Sequence, residues 1–395
     1  MVMTMDNLDK IRTEINEIDT EISKLFCRRM DCAAQVADYK AALGIAVTDA
    51  KRERAVLDRV RELTGEYAPA AEIVFATMMD VSRALQHGRL ASGQEFLQSI
   101  EHAQLDLPPT YEARVVCQGV PGAFSDEAAA MLFPGARPSF VSGFGDVFAQ
   151  VESGAADYGI LPVENAFAGS VHEVYDLMTS HRLTITAAAE VSINHCLLCR
   201  HGADISKLSA VLSHPQALSQ CAEFLTANGI APLPYSNTAA AAAEVAAKSD
   251  DTLGAIASRR AAELYGLEVA RDGIQTLSNN YTRFVAISHK SYIPPDADKI
   301  SLLFALPHVT GSLYHILTRF ASVGLNLTKL ESRPTRGADF SYVFYVDFEG
   351  SLRDEATKRL LCALSEELTM FTFLGNYRDI SSVAVSAAKC EHPME

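Results

Sequence analysis

Arg29 is the side chain in this sequence with the clearest chemical implication. It continues a seam of apolar residues spaced three and four apart, and this spacing predicts one long amphipathic helix. The seam consists of Leu8, Ile11, Ile15, Ile18, Ile22, Leu25, Cys32, Val36, Tyr39 and Leu43. A guanidinium among apolar side chains keeps its charge at a high desolvation cost, so Arg29 predicts a negatively charged partner. Alternatively, Arg29 extends to the surface or pairs with Asp31 or Glu21.

Two further cations indicate what that partner could be. Lys40 follows Arg29 by eleven residues, so both side chains leave one helix face about 16 Å apart along the axis. Together they could hold a small molecule with two carboxylates. Arg12 lies about 26 Å from Arg29 along the same helix and can reach that site only from a second chain. An antiparallel pair of these helices predicts two equivalent sites in a homodimer.

The composition limits the classes of function. With 395 residues, 48% of them hydrophobic and 21% charged, the sequence predicts a soluble globular protein of two or three domains. A net charge of −15 without any basic stripe argues against non-specific nucleic-acid binding. No membrane-spanning or export segment is evident, which predicts a cytoplasmic protein. Cys196 and Cys199 form the one C-x-x-C pair, expected as reduced core cysteines without a metal.

Hydrophobic patterns and turn residues divide the chain into three predicted domains, two linkers and a tail. The six segments are residues 1–90, 91–113, 114–289, 290–298, 299–378 and 379–395. The first domain is all-helical, because Gly44 can end the long helix, Asp49 can cap a second helix and Pro69 can begin a third. The second alternates short apolar runs with Ala-rich helical windows, as an α/β domain does. The third has the βαββαβ order of an α+β domain.

Other polar residues of the helical domain have spacings that suit the site of Arg29. Asp49, Arg52 and Glu53 begin the second helix, whereas Ser82 and Gln86 lie one turn apart on the third. Taken singly, Asp49 and Ser82 are more typical of ordinary caps and surface polarity. The whole pattern, however, resembles the helical type of chorismate mutase over nearly the entire domain.

This resemblance implies a role for each residue in an intertwined dimer. Arg12 and Arg29 would hold two carboxylates, Lys40 and Gln86 would donate to the ether oxygen, and Glu53 would meet the ring hydroxyl. Asp49, Arg52 and Ser82 would complete the lining. The chemistry agrees, since a Claisen rearrangement needs only a compact reactive conformer and stabilisation of the charge that develops as the bond breaks.

The middle domain has polar residues mostly where strands meet helices, which is where open α/β folds bind ligands. They are Glu164, Asn165, Gly169, Ser170, Ser213, His214, Gln216, Thr238, Thr282, Arg283 and Phe284. Each alone could be a cap or a turn; Glu164 could be a structural carboxylate and His214 a core histidine. In this order they resemble prephenate dehydratase across residues 114–289, and Thr-Arg-Phe is the most specific motif.

The dehydratase resemblance implies a two-lobed α/β fold like that of type II periplasmic binding proteins. Thr282 would act on the leaving hydroxyl of prephenate by hydrogen bonding or proton relay. The other residues would hold the carboxylates and the ring. No cofactor or metal is implied, because loss of carbon dioxide drives aromatisation. Ala166 departs from the family, which commonly has Ser or Thr there.

The third domain resembles an ACT regulatory domain of the dehydratase-linked type. The resemblance rests on Gly311, Ser312 and Leu313 and on the motif Glu331, Ser332, Arg333 and Pro334. It implies that L-phenylalanine binds there as an allosteric effector across a domain pair. Alternatively, Glu331 and Arg333 form a strand-edge ion pair.

The three resemblances together favour a bifunctional enzyme. It would convert chorismate to prephenate and then to phenylpyruvate, under feedback inhibition by L-phenylalanine, as a homodimer or a tetramer. One alternative is that the middle domain acts on arogenate. Another is a non-catalytic solute-binding or amino-acid sensing protein whose helical domain only dimerises it.

Overall fold

A computed structural model describes residues 5–90, 93–104, 110–277, 279–334 and 342–381. By its internal contacts the chain forms two compact units, residues 1–101 with 304–372 and residues 102–303 with 373–395. The helical domain and most of the C-terminal region therefore belong to one unit. Within the described residues no helix combines the length and the apolarity needed to cross a membrane.

Four helices make up the N-terminal part of the first unit. They are α1 (Met5–Leu43), α2 (Ala50–Thr64), α3 (Ala68–Arg89) and α4 (Gln94–Glu101). Gly44 follows α1 with φ 64°, and Asp49 caps α2 by accepting from the Arg52 amide at 2.9 Å. The end of α1 and the cap of α2 therefore lie where the sequence predicted them. The third helix packs against the first two.

The helix α4 lies where the sequence predicted only a linker. It forms because Phe96 is buried and its ring meets that of Phe371 edge-on, with centroids 5.9 Å apart. Phe371 is 275 residues further along the chain, so local patterns gave no sign of this contact.

The apolar seam of α1 is largely exposed in the single chain. Ile11, Ile18 and Leu25 are 52%, 49% and 61% exposed. A continuous exposed apolar face of this length is typical of an interaction surface.

The second unit has two sheets and seven helices within the residues described. The strands are β1 (Val115–Gln118), β2 (Ser139–Val141), β3 (Tyr158–Asn165), β4 (Gly169–Ser170), β5 (Thr184–Ser192), β6 (Cys196–Cys199), β7 (Ala210–Ser213), β8 (Ala231–Pro234), β9 (Leu253–Ala257), β10 (Glu268–Arg271) and β11 (Tyr281–Ser288). The helices are α5 (Phe124–Leu132), α6 (Phe144–Glu152), α7 (His172–Ser180), α8 (Pro215–Gln220), α9 (Ala222–Asn228), α10 (Thr238–Ala247) and α11 (Arg259–Tyr265).

The C-terminal region follows the predicted βαββαβ order. Its elements are β12 (Lys299–Leu306), α12 (Ser312–Ser322), β13 (Leu327–Pro334), β14 (Tyr342–Glu349), α13 (Glu355–Glu367) and β15 (Phe371–Ser381). β14 lies between β13 and β12. Both α12 and α13 pack against α3.

The two sheets of the second unit give it two lobes. Within this unit the first sheet has the order β15, β5, β11, β3, β1 and β2, with β4 paired to β3, and the second has the order β10, β6, β9, β7 and β8. β11 returns to the first sheet antiparallel to both β3 and β5. The predicted fold class, a helical mutase domain followed by a two-lobed α/β domain and a C-terminal α/β region, is confirmed.

The last strand is longer than the sequence indicated. β15 continues to Ser381, with Arg378 opposite Ala187 of β5 in parallel register, whereas the predicted strand ended at Leu374. Asp379 fixes the extension, since its carboxylate lies 2.6 Å from Lys299 Nζ and 3.2 Å from Arg283 Nε. The rest of the predicted tail, residues 382–395, lies outside the described residues.

Candidate functional site

A pocket in the helical domain collects polar and charged side chains from α1, α2 and α3. The predicted residues that line it are Arg29, Lys40, Asp49, Arg52, Glu53, Ser82 and Gln86. Arg12 does not reach it; its side chain is 66% exposed and lies 3.4 Å from Asp9 of its own helix. Within one chain the structure therefore brings together all the predicted residues of this site except Arg12.

Arg29 has neutral acceptors inside this pocket. Its Nη1 donates to Ser82 Oγ at 2.7 Å and to the Met78 carbonyl at 3.1 Å. Burial lowers the pKa of the Arg29 guanidinium. Among the residues described, no carboxylate forms an ion pair with Arg29. This includes Asp31 and Glu21, the two alternative partners considered from the sequence. The charge of Arg29 is therefore available to an anionic ligand.

The turn between α1 and α2 shapes the other side of the pocket. The Lys40 ammonium donates to the Val47 carbonyl. Because the Asp49 carboxylate caps α2, it fixes where that helix begins and thus where Arg52 and Glu53 project.

Arg83 also lines this pocket, although it was not predicted from the sequence. Its Nη1 lies 2.7 Å from both carboxylate oxygens of Glu53. A signal existed, since Met79, Ser82, Arg83 and Gln86 follow the i, i+3, i+4, i+7 spacing of a single helix face.

A second pocket lies between the two lobes of the α/β unit. The predicted residues that line it are Asn165, Gly169, Ser170, His214, Gln216, Thr238, Thr282 and Phe284. The helices α5 and α10 begin at this cleft, with Phe124 and Thr238 in its lining. Helix N-termini carry partial positive charge, which suits an anionic ligand.

The hydroxyl of Thr282 has a defined orientation in this cleft. Thr282 lies opposite Asn165 in the ladder of β11 and β3, and Asn165 Nδ2 donates to Thr282 Oγ1 at 2.9 Å. The backbone amides of Phe167 and Ala168 donate to Asn165 Oδ1 at 3.1 and 2.9 Å, which sets the amide orientation. An amide NH₂ group cannot accept a hydrogen bond. The hydroxyl hydrogen of Thr282 therefore points away from Asn165 Nδ2 and can be donated to another group.

A chain of buried and half-buried polar side chains supports Asn165, and the sequence predicted a role for none of them. Asn280 Oδ1 accepts from Asn165 Nδ2 at 2.8 Å, and Asn280 Nδ2 lies 3.3 Å from Gln220 Oε1. His195 Nε2 donates to the same oxygen at 2.8 Å. Burial lowers the pKa of His195, against the opposing effect of the Gln220 contact. A detectable signal was the position of Asn280 two residues before Thr282, the spacing of a single strand face.

The predicted effector residues lie on two elements of the C-terminal region. Gly311 caps α12 with φ 87°, and Ser312 and Leu313 form its first turn. On β13 the half-buried face carries Glu331 and Arg333, whereas Ser332 and Pro334 are exposed on the other. The four motif residues of this strand therefore do not share one face.

Comparison with known proteins matches a family to each of the two domains that contain these pockets. A family model described as "Prephenate dehydratase" matches residues 115–292, and one described as "Chorismate mutase type II" matches residues 11–87. Arogenate dehydratase/prephenate dehydratase 2 of Arabidopsis thaliana is 39% identical over 275 residues, covering 67% of this chain and 72% of the relative. The chain belongs to the prephenate dehydratase family. It also has a type II chorismate mutase domain, and the predicted bifunctional architecture is confirmed.

Two solved structures resemble this chain over most of their own length. A prephenate dehydratase from Arthrobacter aurescens in complex with L-Phe has a TM-score of 0.62 and 27% identity, over 70% of this chain and 97% of that one. GqqA, described as a novel type of quorum quenching acylase, has a TM-score of 0.62 and 32% identity, over 67% and 97%.

Three predicted dehydratase residues do not line the cleft. Arg283 is buried and its Nη2 donates to the Tyr377 hydroxyl at 2.8 Å. Ser213 is fully buried and donates to the Ile256 carbonyl at 2.6 Å. Glu164 precedes Asn165 on β3 and is not in the lining. For Arg283 and Glu164 the reason is the alternation of side chains along a strand, since Thr282 and Asn165 face the cleft.

The cysteine pair of the dehydratase domain lies on β6. Both Cys196 and Cys199 are buried free thiols, and burial raises the pKa of Cys196 to about 12. Among the described residues, no group of three or more His, Cys, Asp or Glu side chains is placed to hold a metal ion.

Proposed function

We propose that the two domains catalyse consecutive steps, chorismate to prephenate in the helical pocket and prephenate to phenylpyruvate in the cleft. The observation that carries this proposal is Arg29, a half-buried cation whose acceptors in its own chain are neutral. The cleft of the dehydratase domain supplies a hydroxyl whose oxygen accepts from Asn165 Nδ2. No cofactor enters either step.

In the mutase step the pocket acts by binding and charge stabilisation. Arg29 holds one carboxylate of chorismate, and Arg12 of the partner protomer holds the other. Lys40 and Gln86 donate to the ether oxygen as negative charge develops there, and Glu53 holds the ring hydroxyl. Asp49, Arg52 and Ser82 keep these groups in place.

In the dehydratase step a proton passes through the Thr282 hydroxyl to the leaving hydroxyl as its bond to the ring breaks, and the threonine oxygen takes its replacement proton from solvent. The ring carboxylate leaves as carbon dioxide, and its electron pair enters the ring as water departs. Asn165 holds Thr282, while Gly169, Ser170, His214, Gln216, Thr238 and Phe284 surround the substrate. A neutral amide is no general base, so this geometry favours Thr282 as a proton donor over Thr282 as an activated nucleophile.

The exposed seam of α1 supports a homodimer formed by a second copy of this chain. An antiparallel copy would cover Ile11, Ile18 and Leu25 and bring its own Arg12 to the pocket. Further pairing into a tetramer and a cytoplasmic location remain part of the proposal.

Prephenate and arogenate are both candidate substrates of the dehydratase domain, because several relatives are named arogenate dehydratases. Arogenate carries an ammonium group where prephenate carries a keto group. None of the described residues that line the cleft is Asp or Glu, so this chain offers no lining carboxylate to pair with an ammonium. We expect kcat/KM for prephenate to exceed kcat/KM for arogenate by about tenfold or more. A factor of about ten corresponds to the free energy of one modest ion pair, which arogenate would lack in this cleft.

One experiment tests both the activities and this preference. Purified protein is supplied with chorismate, with prephenate or with arogenate, and the products are measured by chromatography. We expect prephenate and phenylpyruvate from chorismate. Binding of chorismate without turnover would instead support the sensor alternative, and faster conversion of arogenate would overturn the stated preference.

The C-terminal region is proposed to bind L-phenylalanine, which the Arthrobacter relative contains. Removing a charged hydrogen-bonding group from such a site costs about ten- to a hundredfold in affinity. Glu331→Ala is therefore expected to raise the L-phenylalanine concentration for half-inhibition of the dehydratase by about tenfold or more. Thr328→Ala, on the opposite face of β13, is the matched control. Equal sensitivity of the Glu331 variant and the wild type would remove Glu331 from the effector site.

A further inference from the structure

Ionisable side chains are buried where α3 packs against α12 and α13, within the first unit. Asp80 is 2% exposed, Arg319 3% and His87 5%. Burying charges is costly unless each is paired with good geometry. None of these residues contacts the mutase pocket directly, so neither proposed reaction accounts for them.

One set of contacts leads from the mutase pocket to this buried layer. Arg83 Nη1 donates to both oxygens of Glu53 at 2.7 Å, whereas its Nη2 donates to Asp80 Oδ1. Arg83 thus bridges two carboxylates through separate nitrogens. Burial alone would lower the pKa of Arg83, but the charges of Glu53, Asp80 and Glu367 raise it above its ordinary value.

The same contacts continue to the N-terminal turn of α12. His315 Nδ1 lies 2.7 Å from Asp80 Oδ2. The His315 ring packs on Gly311, since a Cβ added to that glycine would lie 3.3 Å from His315 Nε2. The His315 amide also donates to the Gly311 carbonyl at 2.9 Å. His315 therefore contacts both the buried carboxylate and the glycine of the proposed effector motif.

A second cluster holds the three helices together beside this chain of contacts. Glu367 of α13 lies 2.7 Å from Arg319 of α12 and 2.7 Å from His87 of α3. Packed, paired helices of this kind transmit small shifts because they are not continuously deformable.

We propose that Arg83 is a positioning residue for the mutase reaction, and that Asp80 and His315 make its position respond to a ligand at Gly311, Ser312 and Leu313. Arg83 acts through Glu53, whose carboxylate it holds at the pocket. The positioning role needs only mutase activity, whereas the response to ligand rests on the proposed binding of L-phenylalanine.

The positioning role is tested by a double-mutant cycle. Arg83→Met is expected to lower mutase kcat by about tenfold or more, with a smaller change in KM, and Arg83→Lys to restore part of it. In the Glu53→Gln background the same Arg83→Met change should lower kcat little further, because the carboxylate that Arg83 positions is already absent. A melting curve of the same chains, followed by far-ultraviolet circular dichroism, shows that the helical domain is folded, because dehydratase activity reports only on the other unit. Equal losses in both backgrounds, or no loss at all, would overturn this role.

The response to ligand is tested with His315→Phe. This substitution keeps an aromatic ring at the position but removes the nitrogen that contacts Asp80. L-phenylalanine should change mutase activity in the wild type but no longer in this variant, while dehydratase inhibition persists in both. Thr77→Ala is the matched control, because it removes the 3.1 Å contact with the Tyr314 hydroxyl across the same helices, together with a 2.9 Å hydrogen bond to the Ile73 carbonyl within α3, and touches none of the proposed coupling contacts. An unchanged mutase response in His315→Phe would overturn the coupling.

Calorimetry with L-phenylalanine separates this inference from the proposed function. Binding without any change in wild-type mutase activity would contradict the coupling alone. Absence of binding would contradict the effector assignment and the coupling with it, whereas the double-mutant cycle would still decide the role of Arg83. A wild-type chain that does not convert chorismate would contradict the proposed mutase function itself.

Discussion

Arg29→Ala is expected to lower mutase kcat/KM by about 10²–10³-fold, since it removes a preorganised charge from the site. The dehydratase, measured with prephenate, should keep its activity because Thr282 and its cleft lie in the other unit. Thermal stability should change little, because burial already disfavours the charged Arg29 in the folded chain. Initial rates with chorismate and with prephenate, together with a melting curve, give all three values.

The neighbouring Arg28 provides a matched control for this prediction. It lies on the same helix with the same charge but is exposed and absent from the pocket lining. Arg28→Ala should therefore leave both activities near those of the wild type. A mutase that survives loss of Arg29 would show that the pocket of the helical domain is not the site of the rearrangement.

A mixture of two inactive variants tests whether the site is shared between protomers. If each pocket combines Arg29 of one chain with Arg12 of the other, Arg12→Ala and Arg29→Ala chains should complement one another. Half of the dimers in an equal mixture are mixed, and each has one intact pocket, so about a quarter of the wild-type activity is expected after subunit exchange. If the mixture stays inactive, both arginines act within one chain or the dimer does not form.

Thr282→Val should lower dehydratase kcat by about 10²–10⁴-fold, the usual contribution of a positioned proton donor. Valine keeps the shape of the side chain and removes only the hydroxyl that accepts from Asn165. Mutase activity with chorismate should be unaffected. The conversion of prephenate to phenylpyruvate is followed at saturating substrate, so that the loss is assigned to kcat.

Thr282→Ser is the variant that separates the hydroxyl from the methyl group. It keeps a donor in the same place and should retain most of the activity lost in Thr282→Val. A dehydratase equally active with valine would mean that the leaving hydroxyl is protonated by another group, and His195 would then be the next residue to examine.

The helical site was largely predictable because helix periodicity places side chains reliably. Arg29, Lys40, Ser82 and Gln86 were recognised from their spacing, and the structure brings them into one pocket. Arg83 was missed although it has the same spacing, because an arginine on a helix is ordinarily solvated and its partner Glu53 lies thirty residues away.

The dehydratase cleft was less predictable, because strand positions alternate between two environments. Arg283 and Thr282 are neighbours in sequence, yet only Thr282 faces the cleft, and Arg283 bonds Tyr377 nearly a hundred residues later. His195 and Gln220 were not assigned because their roles depend on hydrogen bonds between distant segments. The same reason explains α4, whose anchor Phe371 is remote in sequence.

The placement of Asp379 bears on how this chain can be cut or recombined. Of the three junctions between the two units, the two that bound the C-terminal region fall at residues 303–304 and 372–373, inside the strands β12 and β15 and not in connections between elements. Asp379 beyond the second junction balances the charges of Arg283 and Lys299. Replacing the whole C-terminal region with that of a relative would remove Asp379 from the dehydratase unit. Arg283 and Lys299 would then lose the carboxylate that balances their charges. Chimeras therefore have to carry residues 373–381 along with the dehydratase.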